Sequence, residues 1–259
     1  MKQDKSHGRM ADQNVVVTGG GSGIGAAITT SFRQQGARVT IIGRNKARLA
    51  EFAAAEKTDY EVADVTAEES VDRAFRNIAA RQGPVTILIN NAGAAEAAPF
   101  HKTDAALWHK MIAVNLNGVF HCSRAVIPGM LKNKRGRIVN VASTAALKGY
   151  AYVSAYCAAK HGVVGLTRAM ALEYATRGIT VNAVCPGYTD TDIVANTIEN
   201  IVAATGRSAA EALAELVGTN PQGRLIAPAE VADTVLWLAG DESRAITGQA
   251  IAVAGGEIM

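Results

Sequence analysis

The stretch "NVVVTGGGSGIGAAI" (residues 14–28) decides the fold. Its first five residues form a short β-branched run of the kind found in strands buried on both faces. The glycines that follow are spaced T-G-x-x-x-G-x-G on Gly19, Gly23 and Gly25, and a helical pattern begins at once. Glycine permits the tight strand-to-helix turn and lets backbone N–H groups approach a pyrophosphate. The helix N-terminus then turns its positive end toward that anion. No Lys-Ser or Lys-Thr pair follows, so the loop does not read as a nucleoside-triphosphate cradle.

The same alternation continues outward. Strand patterns stand at 14–18, 38–43, 60–64, 85–90, 136–142, 179–184 and 249–254, with helical patterns near 24–35, 45–56, 67–82, 103–133, 155–177 and 228–239. This rhythm predicts an α/β fold, a doubly wound (Rossmann) parallel sheet of seven strands with helices on both faces. Residues 13–259 form one domain, and the polar residues 1–12 form a flexible lead-in without the apolar core of a signal peptide. Residues 190–222 are helical but add no strand. At the C-terminal edge of such a sheet they are placed to be a lid over a ligand crevice.

Composition narrows the function classes. The chain has 259 residues, is 49% hydrophobic and carries a formal charge of +3. Its densest basic cluster, "KNKRGR" (132–137), sits where a helix should end, so cations there complement the helix dipole rather than a polyanion. Neither a nucleic-acid partner nor a membrane partner is expected. The three cysteines, Cys122, Cys157 and Cys185, form no CxxC pair, which argues against a disulfide framework or structural zinc and fits a cytoplasmic setting.

Two further segments carry chemistry. The second strand pattern ends "IIGRN", with Gly43 where an NAD site usually places an acid for the ribose 2′-hydroxyl, and Arg44 next. An arginine suits a 2′-phosphate, so NADP(H) is the expected cofactor. In "SAYCAAK" (154–160), Tyr156 and Lys160 stand at i and i+4, on one helix face. A nearby cation favours the phenolate and predicts a lowered phenol pKa, suited to proton transfer near neutrality. Asn is a mediocre interior helix residue, and "NLNG" (115–118) predicts a local distortion around Asn115 that frees a backbone carbonyl for water.

The glycine loop, "NNAG" (90–93), Ser143 and "YCAAK" occur in that order, and together they resemble the short-chain dehydrogenase/reductase family over nearly the whole chain. The resemblance implies catalytic roles for Asn115, Ser143, Tyr156 and Lys160: Ser143 binds the substrate oxygen, Tyr156 is the acid/base, and Lys160 holds the nicotinamide ribose. It implies cofactor contacts from Gly19, Gly21, Ser22, Gly23, Ile24 and Gly25, from Arg44, Asp64 and Val65, from Asn91, Ala92 and Gly93, from Tyr156 and Lys160, and from Pro186, Gly187, Thr189 and Thr191. Substrate would meet Ser143, Ala145, Tyr150, Tyr156 and Tyr188. Where the family often ends V-D-G-G, this chain has Ala254 in place of the Asp.

The implied activity is interconversion of a ketone and a secondary alcohol, with a small-molecule 3-oxoacyl thioester as the leading carbonyl substrate. Segments of the chain are similar to β-ketoacyl and polyketide-type ketoreductases and to hydroxyacyl-CoA dehydrogenases. The alternatives are an NAD(P)-dependent dehydrogenase of a cyclic or aromatic secondary alcohol and, more remotely, a non-catalytic cofactor-binding subunit. No metal is called for. The resemblance also implies a homotetramer paired through the helices at 103–133 and 155–177.

Overall fold

The computed structural model describes residues 8–259. β1 (Asn14–Thr18), fully buried, runs through the glycine loop into α1 (Gly23–Gln34), and β2 (Arg38–Gly43) and α2 (Lys46–Glu56) follow. β3 (Asp59–Val62) is a half-exposed edge strand, blunted where Glu61 pairs with Arg81 and Asp59 with Gln82. It ends two residues earlier than its sequence pattern predicts. The Asp64 carboxylate instead accepts from the Thr66 N–H (2.9 Å) and hydroxyl (2.8 Å), an Asx turn that takes the chain out of the sheet.

α3 (Glu68–Gln82) opens on Glu68 and Glu69, which complement its N-terminal dipole. β4 (Ile87–Asn90) leads to α4 (Ala105–Ile112) and α5 (Gly118–Asn133), then β5 (Gly136–Val141), α6 (Ser154–Tyr174) and β6 (Ile179–Pro186). α7 (Asp192–Thr205) and α8 (Ala209–Val217) form the excursion anticipated at 190–222, before α9 (Pro228–Ala239) and β7 (Ala250–Val253). All seven strands are parallel, in the order β3-β2-β1-β4-β5-β6-β7. The order reverses between β1 and β4, and a crevice opens there beyond the strand C-termini.

Both faces of the sheet are covered. On one, Ile28 and Phe32 of α1 pack with Val231, Val235 and Leu238 of α9; on the other, Val71, Phe75 and Ile78 of α3 meet Val126 and Met130 of α5. A buried ladder joins the β4 and β5 ends to α6: Asn90 Nδ2 donates to Asn140 Oδ1 at 2.8 Å, and Asn140 Nδ2 to Thr167 Oγ1 at 2.9 Å. Among the described residues no helix is long and apolar enough to cross a membrane.

Two expectations need correction. Of the lead-in at 1–12, residues 1–7 lie outside the described residues, but the remainder packs: Met10 is buried in the core and its N–H donates to the Gln35 carbonyl at 2.9 Å. The single helix expected over 103–133 is two helices joined by a π-helical turn at Ala113–Asn117, the distortion anticipated around Asn115.

Candidate active site

The crevice holds a cavity of about 510 Å³, lined on one side by Gly19, Ser22, Gly23 and Ile24, by Gly43 and Arg44 after β2, and by Asp64 and Val65 after β3. Asn91, Ala92 and Gly93 form its floor, and Asn115, Tyr156 and Lys160 close its far side. Thr191, Asp192 and Ile193, at the start of α7, complete it. The Arg48 guanidinium reaches from α2 to the Asp192 carboxylate at 3.0 Å, tying the first turn of α7 to the β2 side of the crevice.

The first turn of α1 contains no acidic residue, and Ser22 makes no side-chain cap, so its N–H groups face the cavity free of a protein anion. This is the setting in which a helix N-terminus accepts a pyrophosphate. Gly25 serves packing instead. A Cβ there would lie 2.1 Å from the Gly19 carbonyl oxygen and 2.5 Å from Asn91 Nδ2. Gly25→Ala is therefore expected to destabilise the protein by about 1–3 kcal/mol, the usual cost of overpacking, and to weaken nucleotide binding; thermal melts and an NADPH titration read both effects.

Asp64 is held ionised. Burial works against its charge, but the Thr66 hydrogen bonds and the nearby Arg44 guanidinium keep its pKa below the ordinary carboxylate range. The floor is fixed by Thr18, whose Oγ1 accepts from the Asn91 and Ala92 N–H groups, each at 3.0 Å, while Asn91 Nδ2 donates to the Thr18 carbonyl at 3.0 Å. Sequence reasoning missed Thr18, although it opens the glycine motif itself.

At the other side, Lys160 is buried on α6 and its Nζ donates to the Val141 carbonyl at 2.9 Å, 5.6 Å from the Tyr156 ring centroid. Burial lowers its pKa to about 8. Burial also pushes the Tyr156 phenol up to about 12, against the opposing hydrogen bond of Ser143. The depressed phenol pKa expected from the i, i+4 spacing is thus not produced by the protein's own groups: desolvation of the phenolate outweighs the help it receives. Asn115 clamps the floor through reciprocal bonds with Ala94, its Nδ2 donating to the Ala94 carbonyl at 2.9 Å and its Oδ1 accepting from the Ala94 N–H at 3.2 Å. Its Nδ2 also satisfies the Met111 carbonyl at 3.0 Å, within the distorted helix.

Ser143 follows the cavity-lining Ala142, and its Oγ accepts from the Ala145 N–H at 3.1 Å. Ala145 itself is 3% exposed, so it orients Ser143 rather than presenting a side chain to a substrate. Gly21 does not line the cavity; a Cβ there would face Ile41, Leu49 and Phe52. Pro186, Gly187 and Thr189 also lie off the cavity wall and shape the loop after β6, where Thr189 Oγ1 donates to the Gly187 carbonyl at 3.0 Å and Thr191 Oγ1 to the Thr189 carbonyl at 3.2 Å. Tyr150 and Tyr188 meet edge to face, ring centroids 6.3 Å apart.

The chain is similar to known proteins in sequence and fold. A family model described as short chain dehydrogenase matches residues 13–202. The chain is 38% identical over 253 residues to 2-(S)-hydroxypropyl-CoM dehydrogenase 3 of Xanthobacter autotrophicus, covering 96% of this chain and 97% of that one. It is also 38% identical over 248 residues to a putative ketoacyl reductase of Streptomyces coelicolor, covering 93% and 95%. A crystal structure of an actinorhodin polyketide ketoreductase variant with NADPH superposes with a TM-score of 0.92 at 36% identity, covering 95% and 97%. Cavity, motifs and matches together make the chain a member of the short chain dehydrogenase family of nicotinamide-dependent oxidoreductases.

Proposed function

We propose that this protein is an NADP(H)-dependent reductase interconverting a ketone and a secondary alcohol, with a 3-oxoacyl thioester as its substrate class. One observation carries the reading: Tyr156, Lys160 and Asn115 line one side of a cavity, with Ser143 hydrogen-bonded to Tyr156, and Arg44 and Asp64 line the other side. The ketoacyl reductase among the relatives and the NADPH in the ketoreductase crystal structure support the finer assignment.

Gly19, Ser22, Gly23 and Ile24, at the N-terminus of α1, would hold the pyrophosphate, Arg44 the 2′-phosphate and Asp64 the adenine. Lys160 would hold the nicotinamide ribose, and Thr191, at the end of the loop after β6, the carboxamide. The cofactor supplies the hydride to the carbonyl carbon. Ser143 donates a hydrogen bond to the carbonyl oxygen as charge develops there, and Tyr156 delivers the proton to it. A raised phenol pKa keeps that proton in place at neutral pH. Lys160 stabilises the phenolate left behind, and Asn115 fixes the π-helical turn through which the proton is replenished from solvent.

The test is cofactor absorbance with NADPH and NADH against acetoacetyl-CoA, cyclohexane-1,4-dione and acetophenone, with Tyr156→Phe as the blank. A Tyr156-dependent rate confined to NADPH and the thioester is expected. A rate confined to the cyclic or aryl ketone removes the thioester assignment, and no rate with any ketone removes the reductase reading.

We further propose a cytoplasmic homotetramer. Three free cysteines support a reducing compartment. Exposed Phe120 and Leu131 on α5 and Leu172 on α6 (83% exposed) support burial against a second copy. Light scattering at micromolar concentration should give four times the chain mass; a monomer removes this assignment.

A further inference from the structure

Two loops that leave the sheet at separate points, after β5 and after β6, converge on one carboxylate, that of Glu257 in the segment after β7. Its side chain is 1% exposed. Its Oε1 accepts from the Lys148 ammonium at 3.0 Å and from the Tyr150 hydroxyl, both on the loop after β5. Its Oε2 lies 3.0 Å from where a Cβ of Gly187 would stand, in the loop after β6, so glycine there makes room for the carboxylate. The Gly187 N–H in turn donates to the Val253 carbonyl at 3.1 Å, closing the arrangement onto the end of β7.

The chemistry fixes the direction of the bonds. A carboxylate only accepts, so the single Tyr150 proton goes to Glu257, and the 2.7 Å contact between the Tyr150 hydroxyl and Thr144 Oγ1 has Thr144 as donor. Thr144 adjoins Ser143, and the Tyr150 ring meets the Tyr188 ring edge to face. With its hydroxyl held by Glu257, Tyr150 is left with its ring as the surface it offers. The Lys148 ammonium, 4.9 Å from the centroid of that ring, is neutralised by the same carboxylate.

Resting on the reading of Ser143 and Tyr156 as the reacting end of the site, we infer that Glu257 is a positioning residue for the substrate pocket: it anchors the 147–153 loop and sets the Tyr150–Tyr188 wall beside Ser143. It does not line the cavity that holds Tyr156 and Lys160. Its loss should therefore act on substrate binding through Tyr150 and spare the hydride-transfer apparatus.

The test uses Glu257→Ala, Glu257→Gln and Tyr150→Phe in the full-length protein. With acetoacetyl-CoA and NADPH, Glu257→Ala should raise KM by about tenfold with kcat within about threefold, and Glu257→Gln, which keeps an acceptor for the Tyr150 hydroxyl, should recover most of the loss. Glu257→Ala combined with Tyr150→Phe should cost little more than either alone, because the two share one bond. NADPH affinity by fluorescence titration should not move. An unchanged KM in Glu257→Ala, additive losses in the double variant, or an equal fall in kcat and NADPH affinity would each overturn the inference. Hydrogen exchange provides an arm that needs no turnover. Amides of 147–153 should exchange faster in Glu257→Ala and be restored in Glu257→Gln, with β1 and β5 unchanged as the folding control. Unchanged exchange at 147–153 overturns the inference too. Wild-type protein inactive on every ketone would sink the reductase reading instead, while the exchange result still decides whether Glu257 anchors the loop.

Discussion

Tyr156→Phe is expected to lower kcat for ketone reduction by about 10²–10⁴-fold, the span of general acid catalysis, with NADPH affinity unchanged. Phe keeps the ring that packs beside Lys160 and removes only the transferable proton. The pH dependence separates this role from a structural one. Reduction consumes a protonated phenol, so its rate should hold through neutrality and fall as the pH rises through the phenol pKa. Alcohol oxidation needs the phenolate, so its rate should rise over the same range. The protein's own groups place Tyr156 at about 12 and Lys160 at about 8. A charged Lys160 and an oxidised nicotinamide ring both favour the phenolate, so the working value should lie below 12. Parallel profiles in the two directions would show that Tyr156 is not the acid/base.

Arg44→Asp is expected to reverse cofactor preference, lowering the NADPH-to-NADH ratio of kcat/KM by roughly 10²–10³-fold. A charge-assisted hydrogen bond to phosphate contributes about 1.5–3 kcal/mol, and a carboxylate in its place adds repulsion against the 2′-phosphate. The same carboxylate provides the acceptor that a free ribose 2′-hydroxyl seeks. Arg44→Ala should give only the first part of the change, since it removes attraction without adding repulsion. Initial rates with both cofactors measure the ratio, and a ratio unmoved by Arg44→Asp would remove Arg44 from the phosphate site.

The sheet and many of the residues that line the cavity were legible in the sequence because they rest on local patterns. The runs at 14–18 and 38–43 coincide with β1 and β2, since strands buried on both faces read as near-continuous apolar, β-branched runs. The "NLNG" segment signalled the π-helical turn because Asn is poorly suited to a regular helix. What escaped was long-range. Nothing near Thr18 shows that its hydroxyl serves amides 73 and 74 residues away, and nothing near Glu257 points to Tyr150, 107 residues earlier. Met10 was lost in a largely polar segment, although its side chain reaches the core. The Tyr156 pKa failed for a related reason: spacing gives the neighbour, while desolvation depends on everything packed around the pair.

The strand order also divides the molecule's evolutionary freedom. Wall residues on one side come from the chain up to Thr66, whereas those facing them come from Lys110 onward, and the two sets are joined by the floor carried by β4 and by the Arg48–Asp192 pair. Substitutions in the two stretches therefore bear first on opposite sides of the crevice. Under the proposed function, a lineage of such chains can keep its electron donor while diversifying the carbonyls it accepts, or change donor without relearning its chemistry.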